Sequence, residues 1–218
     1  PPHNLTLYAT DNIIDPKAIN CLIDGLKDYN IPGVTTEKSL AEYFAQEYTR
    51  QKGLTYKTGM NQRIYGLTAV NPEVKQFGKL RLIEEKDMSF FPYWFEAFNS
   101  AITYGKKEML IPQDGEVYRQ RILVKRLYVL EVDGIPVSMA GFSRAVNTAI
   151  CVSYVYTPTY FRGRGYASSC VAKLSQKALD DGFAKCVLYT DLRNPISNSI
   201  YQKIGYRPIC DSVMLGFE

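Results

Sequence analysis

Nowhere in this sequence do two cysteines stand in a Cys-x-x-Cys pair, and only one histidine occurs, so the ligand spacing of a structural zinc site and a dithiol redox motif are both missing. The five cysteines, Cys21, Cys151, Cys170, Cys186 and Cys210, are odd in number and far apart. They read as reduced core residues of a cytoplasmic protein, with no metal expected. No apolar run approaches the roughly 18 to 20 residues that cross a bilayer. The start, Pro1-Pro2-His3, has neither the basic nor the apolar region of a signal peptide, so no membrane partner is expected. That start also lacks a methionine, and the expectation is a piece of a longer protein; His3 receives no role. Repeats and low-complexity segments are absent. Charge of one sign is scarce too: 26 Lys and Arg are interleaved with 22 Asp and Glu, for a net +4 that favours anionic ligands only mildly. A chain of 218 residues, 46% hydrophobic and 22% charged, suffices for one large core or two small ones.

Several helices and strands follow from periodicity and punctuation. Asp15-Pro16 is an N-cap and N1 pair ahead of Ile19, Leu22, Ile23 and Leu26 at helical spacing, stopped by Pro32-Gly33. A second helix from near Thr36 places Leu40, Tyr43, Phe44 and Tyr48 on one stripe and ends at Gly53, before a strand from Arg63 to Val70. Asn71-Pro72 breaks the chain, and the main domain boundary is expected there, dividing 1–72 from 73–218. Beyond it a strand is expected from Lys79 to Glu84. Phe91, Trp94, Phe95, Phe98 and Ile102 then form a helical stripe closed by Gly105, and a polar loop runs from Gly105 to Arg119. Arg119, Arg121, Lys125 and Arg126 alternate with Ile122, Leu123, Val124 and Leu127, which reads as a strand with a solvated face rather than a nucleic-acid surface. Asp133-Gly134 sets a hairpin between strands at 127–132 and 137–142, and 149–157 supplies a third antiparallel run. A helix from about Gly165 to Asp181 with Gly182 at its end separates 149–157 from a strand at 185–190, so those two strands run parallel. A helix at 195–204 and a strand at 206–217 complete an α+β fold with a mixed sheet.

Between strand and helix lies Tyr160-Phe161-Arg162-Gly163-Arg164-Gly165-Tyr166-Ala167. Its glycines let the backbone turn and leave amides uncovered at a helix start, where a pyrophosphate is favoured, and Arg162 and Arg164 add charge. A Walker A loop needs Gly-Lys-Ser/Thr, and a dinucleotide fingerprint needs a glycine where Ser168 stands, so both are disfavoured.

Arg162-x-x-Gly165-x-Ala167 after a strand resembles the acetyl-CoA loop of the GNAT superfamily of N-acetyltransferases. A second segment, with Asn194, Tyr201 and Gly205-Tyr206, is similar to the same family's C-terminal signature; together the resemblance covers roughly residues 79 to 218. It implies a GNAT-like acyl-CoA N-acyltransferase fold, acetyl-CoA as co-substrate, and transfer of the acetyl group to an amine by direct attack in a ternary complex. By the same resemblance Val155, Tyr156 and Thr157 contact pantetheine and the acetyl carbonyl. Gly163, Arg164, Gly165, Tyr166 and Ala167 hold the pyrophosphate, Asn194 tethers pantetheine, and Tyr201 is the acid beside the thioester sulfur. A general base is missing, because no Asp, Glu or His occurs from Ile135 to Phe161. Glu131 reads as a solvated face residue, and the routes left are a water chain with Ser153, Tyr154 or backbone carbonyls, or a substrate that arrives already deprotonated. The alternative is a catalytically inactive acyl-CoA-binding sensor or scaffold. Residues 1–72 resemble, more weakly, a degenerate GNAT-like module of bacterial proteins that carry two halves, lacking a phosphate loop and shaping the acceptor cleft. A homodimer is left open, and nucleic acid is not expected.

Overall fold

The computed structural model describes residues 4–9, 13–102, 112 and 114–218, and its packing divides into two compact units. The first comprises Pro1–Ile64, Thr190–Asn194 and Ile209–Glu218; the second comprises Tyr65–Tyr189 and Pro195–Pro208. His3 and Gly105, which carry two of the expectations above, lie outside the described residues.

In the first unit a short strand β1 (Leu5–Thr6) runs parallel to β2 (Gly33–Glu37). The Asp15 carboxylate accepts the Lys17 N–H and starts α1 (Pro16–Gly25), and α2 (Lys38–Lys52) ends on Gly53 in the left-handed region. Both helices bury Ile19, Ile23, Phe44 and Tyr48 with Val34 and Leu215 in one core. Gly33 is required where β2 meets the last strand, because a Cβ there would stand 2.2 Å from the Leu215 carbonyl oxygen. The strand expected from Arg63 is longer at its start: β3 spans Tyr56–Leu67. The stretch Tyr56-Lys-Thr-Gly-Met-Asn-Gln has weak strand propensity, but Thr55 and Glu218 exchange backbone hydrogen bonds (2.8 and 2.9 Å), so pairing overrides propensity. Arg63 donates to both oxygens of Asp211 at 2.6 and 3.0 Å, tying β3 to the C-terminal strand, which is numbered β9 below.

The second unit is a mixed sheet. Strands β4 (Lys79–Leu82), β5 (Leu127–Val132), β6 (Ile135–Val146) and β7 (Ala149–Tyr156) pair antiparallel in that order. After β7, helix α5 (Tyr166–Asp180) leads to β8 (Lys185–Asp191), which pairs parallel with β7. Asp133 and Gly134 both have positive φ, 50° and 77°, as a two-residue hairpin of this hand requires. Gly182 (φ 98°) ends α5, with the Phe183 N–H on the Ala178 carbonyl. A further helix α6 (Pro195–Ile204) and β9 (Arg207–Phe217) close the chain as expected. Two cores flank this sheet. One joins Val171, Leu174, Leu188, Tyr201 and Tyr206; the other gathers the aromatics of α3 (Phe91–Ile102) with Leu127, Val129 and Met139.

Three expectations are corrected here. The region expected as a loop to Arg119, and then as a strand, holds a helix α4 at Gly115–Leu123. Asp114 caps it by accepting the Glu116 N–H at 3.1 Å, and Tyr118, 1% exposed, anchors it through a 2.7 Å bond to Glu96. Leu123 and Val124 are exposed while Ile122 and Leu127 pack into the aromatic core, so the apolar residues read as one strand face do not form one. Glu131 is not a solvated carboxylate but accepts from Arg81 Nε at 2.7 Å. Cys21 is exposed and Cys210 is half-buried, whereas Cys151, Cys170 and Cys186 are core residues as expected.

Arg81 also grips Asp87 with both terminal nitrogens, at 2.6 and 2.9 Å, and Asp87 is 2% exposed. Burial by itself would raise the Asp87 carboxyl, but the Arg81 guanidinium and the Glu84 amide outweigh it and hold the group below its ordinary value. A depressed carboxyl contributes stability above its unfolded value and loses that contribution as pH falls through the folded one. Arg81→Leu strands a buried charge and is expected to cost about 3 to 5 kcal/mol at pH 7, read from urea unfolding. The gap to the native chain should narrow only as pH falls through the lowered native value of Asp87, because below it the carboxyl is protonated in both.

Candidate functional site

Gly163 and Gly165 both adopt left-handed backbone, with φ 77° and 80°, and they set the turn between β7 and α5. Gly165 is the N-cap of α5, whose first intrahelical bond is the Ser169 N–H on the Gly165 carbonyl at 3.0 Å. Among the described residues no protein group accepts from the amides of Gly163, Arg164, Gly165, Tyr166 or Ala167, and Arg162 to Gly165 are exposed. These are the unfilled donors of a helix start, and the helix dipole adds to them. Arg162 has a different task from adding charge: its Nε donates to the Thr157 carbonyl at 2.9 Å and binds the turn to the end of the strand. Arg164, by contrast, is exposed and lines a cavity of about 470 Å³ beside Gly165.

Strand β7 changes neighbours along its length. Its described register with β8 covers Ala149↔Lys185 to Cys151↔Val187, while β7 itself continues to Tyr156. On its other edge the register with β6 slips between Gly141↔Ser153 and Met139↔Tyr156, which leaves Ala140 opposite both Tyr154 and Val155. Tyr154 sits at this bulge with φ 57°, a conformation that costs a tyrosine about 1 to 3 kcal/mol. The extra residue reverses the side-chain alternation. Ile150 and Val152 face the core of α5, and without the slip Tyr154 would join them; instead Tyr154 and Tyr156 face α3, and Val155 turns back. Tyr154 stacks on Phe95 at 5.6 Å between ring centres, and Tyr156 lies 6.1 Å from Trp94.

Thr157, expected to point at a ligand, is 9% exposed and shares a 2.8 Å hydrogen bond with Ser138. Its carbonyl, held by Arg162, remains part of the strand end. Tyr201, on α6, belongs to the same core cluster that Val155 and Tyr166 pack against. Its ring meets Tyr206 edge-on at 6.0 Å, and burial pushes its phenol up to about 12. The site's neighbourhood holds thiols as well, yet burial raises Cys151, and it pushes Cys170 and Cys186 up to about 12 and about 11, so none is a thiolate near neutrality. Asn194 belongs to the first unit, where its N–H donates to the Asp191 carbonyl at 3.0 Å. Among the described residues no group of three or more His, Cys, Asp or Glu is arranged to hold a metal, and no helix is long and apolar enough to cross a membrane.

Sequence reasoning misses three features. The left-handed Tyr154 has no signal, since glycine or asparagine would be the usual marker. Ser138 is one small residue inside an apolar strand. Phe77 is missed because it precedes the motif by far in sequence; its N–H donates to Ser169 Oγ at 2.7 Å, and the same hydroxyl donates back to the Phe77 carbonyl at 3.0 Å.

Gly165→Ala is expected to lower stability by about 1 to 2 kcal/mol through the left-handed backbone alone. The new Cβ would also lie 3.3 Å from Phe77 Cε2. Gly25→Ala, in a helix with nothing within 4 Å, is the control and should be neutral or stabilising in thermal unfolding.

A sequence profile of the acetyltransferase (GNAT) family matches residues 89–206, which spans β5 to β8, the turn and α6. Among solved structures, an acetyltransferase of the GNAT family from Colwellia psychrerythraea superposes over 97% of this chain and 76% of its own, at 14% identity and a TM-score of 0.59. A GCN5-related N-acetyltransferase from Kribbella flavida covers 92% and 74%, at 16% identity and a TM-score of 0.60. These likenesses show the fold. No curated protein matches the sequence. With more than half of its length matched by the profile, and with the mixed sheet of those neighbours, the chain belongs to the GNAT family of acetyltransferases.

Proposed function

We propose that this acetyltransferase moves the acetyl group of acetyl-CoA onto an amine by direct attack within a ternary complex. The observation that carries the reading is the turn itself: five successive amides, Gly163 to Ala167, with no protein acceptor, at the end of a strand whose described pairing with β8 has already ceased. A diphosphate suits those donors. The pantetheine arm then extends along the open edge of β7 by main-chain hydrogen bonds, and the acetyl carbonyl lies at the Tyr154 bulge, where the ladder is broken. Residues 1–72 act as a non-catalytic module, and the working compartment is the cytoplasm.

The amine nitrogen attacks the thioester carbon, and the C–S bond breaks as the tetrahedral intermediate collapses. The sulfur leaves with the bonding pair, and the proton shed by nitrogen ends on it. Tyr201 is the donor at the sulfur. Its raised phenol stays protonated through neutral and mildly alkaline pH, so it offers a hydrogen bond whenever thiolate charge develops. A phenol that high is a weak acid beside an ordinary thiol, whose value is about 8.5, so Tyr201 acts chiefly by stabilising the leaving group and relaying the proton. Transfer through a cysteine acyl-enzyme is disfavoured by the raised thiols of Cys151, Cys170 and Cys186.

Tyr201→Phe is expected to reduce kcat by about 100-fold while the affinity for acetyl-CoA stays within about twofold, measured by thiol release and by calorimetry. Unchanged turnover would remove Tyr201 from the reaction. Because no carboxylate or imidazole occurs from Ile135 to Phe161, the rate should rise with pH as the acceptor amine loses its proton. No falling limb should appear below about pH 10, since the buried phenol gives up its proton only near its raised value. A bell with a descending arm near neutrality would contradict the assignment.

A further inference from the structure

A cavity of about 100 Å³ is lined by Phe95 of α3, Arg121 of α4, Phe142 of β6, Tyr154 of β7, and Arg126. It is smaller than whole small-molecule sites, which run to about 300 to 1,000 Å³, so it suits one end of a ligand rather than all of it. Tyr154 is also the residue of the bulge, so the cavity adjoins the point where the acetyl carbonyl is proposed to lie. Its charge is one-sided. Among the described residues no Asp or Glu lines it, and neither Arg121 nor Arg126 is in an ion pair.

Both arginines are nonetheless held in place. The Arg121 guanidinium lies over the Phe95 ring at 5.5 Å, and that ring stacks on Tyr154. Arg126 Nη1 donates to the Ser143 carbonyl at 3.0 Å, and the Arg126 carbonyl accepts the Phe142 N–H at 2.8 Å. Lys125, between α4 and β5, has φ 54°, a left-handed backbone that is strained for a lysine, and this turn sets Arg126 on the cavity that Arg121 already lines. Two like charges on one small cavity repel unless an anion joins them. A carboxylate fits: it is planar and meets the paired N–H groups of a guanidinium two at a time, while the rings of Phe95 and Phe142 offer apolar wall to the carbons behind it. We propose that the acceptor is an amine that also carries a carboxylate, an amino acid with an apolar side chain, held by Arg121 and Arg126 with its amino group presented at the Tyr154 bulge. The inference rests on the reading of the chain as an acetyl-CoA-dependent N-acetyltransferase and narrows its acceptor. The reaction is unchanged: the N–C bond forms, the C–S bond breaks, the proton of the nitrogen ends on the thiol, and the carboxylate only anchors.

Thiol release from acetyl-CoA by the full chain tests this, with leucine, methionine and phenylalanine each set against its primary amide, and with phosphoethanolamine as an amine whose anion is a phosphate. At least one amino acid is expected to exceed both its amide and phosphoethanolamine by about tenfold or more in kcat/KM. In the double variant Arg121→Gln, Arg126→Gln the ratio of acid to amide should fall to near one, through a rise in KM for the acid of about tenfold. The double variant Arg121→Lys, Arg126→Lys keeps both charges without the planar fork and should retain part of the preference. Amides or phosphoethanolamine used as well as the acids, or a preference that survives the glutamine pair, overturns the inference while the acetyltransferase reading stands. Thiol release with none of these amines also overturns it, and titration of the same sample with CoA then shows whether the acetyl-CoA reading falls with it.

Discussion

Strand β7 cannot satisfy all its backbone groups with its two neighbours, and the candidate site is built from what is left over. At its beginning it is paired on both edges, with β6 antiparallel and β8 parallel. Toward its end the slip at Tyr154 breaks the ladder on one side, and the described pairing stops on the other. Unpaired strand groups in the interior are costly unless a ligand or water meets them, so this strand end, followed at once by a turn of free amides, asks for a polar and extended partner. Acetyl-CoA has that form: an anionic head, an amide-bearing arm and a thioester.

The surroundings keep this unpaired region rigid rather than loose. Arg162 holds the Thr157 carbonyl, the Ser138 and Thr157 hydroxyls are hydrogen-bonded to each other, and Trp94 and Phe95 pack on the two tyrosines the bulge has re-aimed. On the opposite edge of the sheet, Arg81 joins β4 to β5 through Glu131 and to the buried Asp87. Desolvation is the common electrostatic theme of this core: it raises the Tyr201 phenol and the thiols of Cys151, Cys170 and Cys186, so all four stay protonated near neutrality.

Much of the fold is legible because it is punctuated by single residues whose own backbone freedom decides the outcome. Asp15-Pro16, Gly53, Asp133-Gly134, Gly165 and Gly182 each mark a boundary that the structure places within a residue or so of the expectation. The parallel crossover follows from a strand, a helix and a strand in that order. What escapes is decided by distant partners. Helix α4 depends on Tyr118 reaching Glu96, Glu131 on an arginine of the neighbouring strand, and the first half of β3 on the C-terminus. Within the candidate site, the glycine turn is readable and the bulge is not, because a tyrosine in left-handed backbone is chosen by the register of β6 rather than by its own preference.

The central claim is that the free amides of the turn grip the diphosphate of CoA. Backbone amide NMR during titration with CoA tests it most directly: the largest shifts should fall on Gly163 to Ala167, with a second group at Val155 and Tyr156 on the open strand edge. Absence of saturable binding, or saturable shifts that leave those seven amides unmoved, would contradict the account.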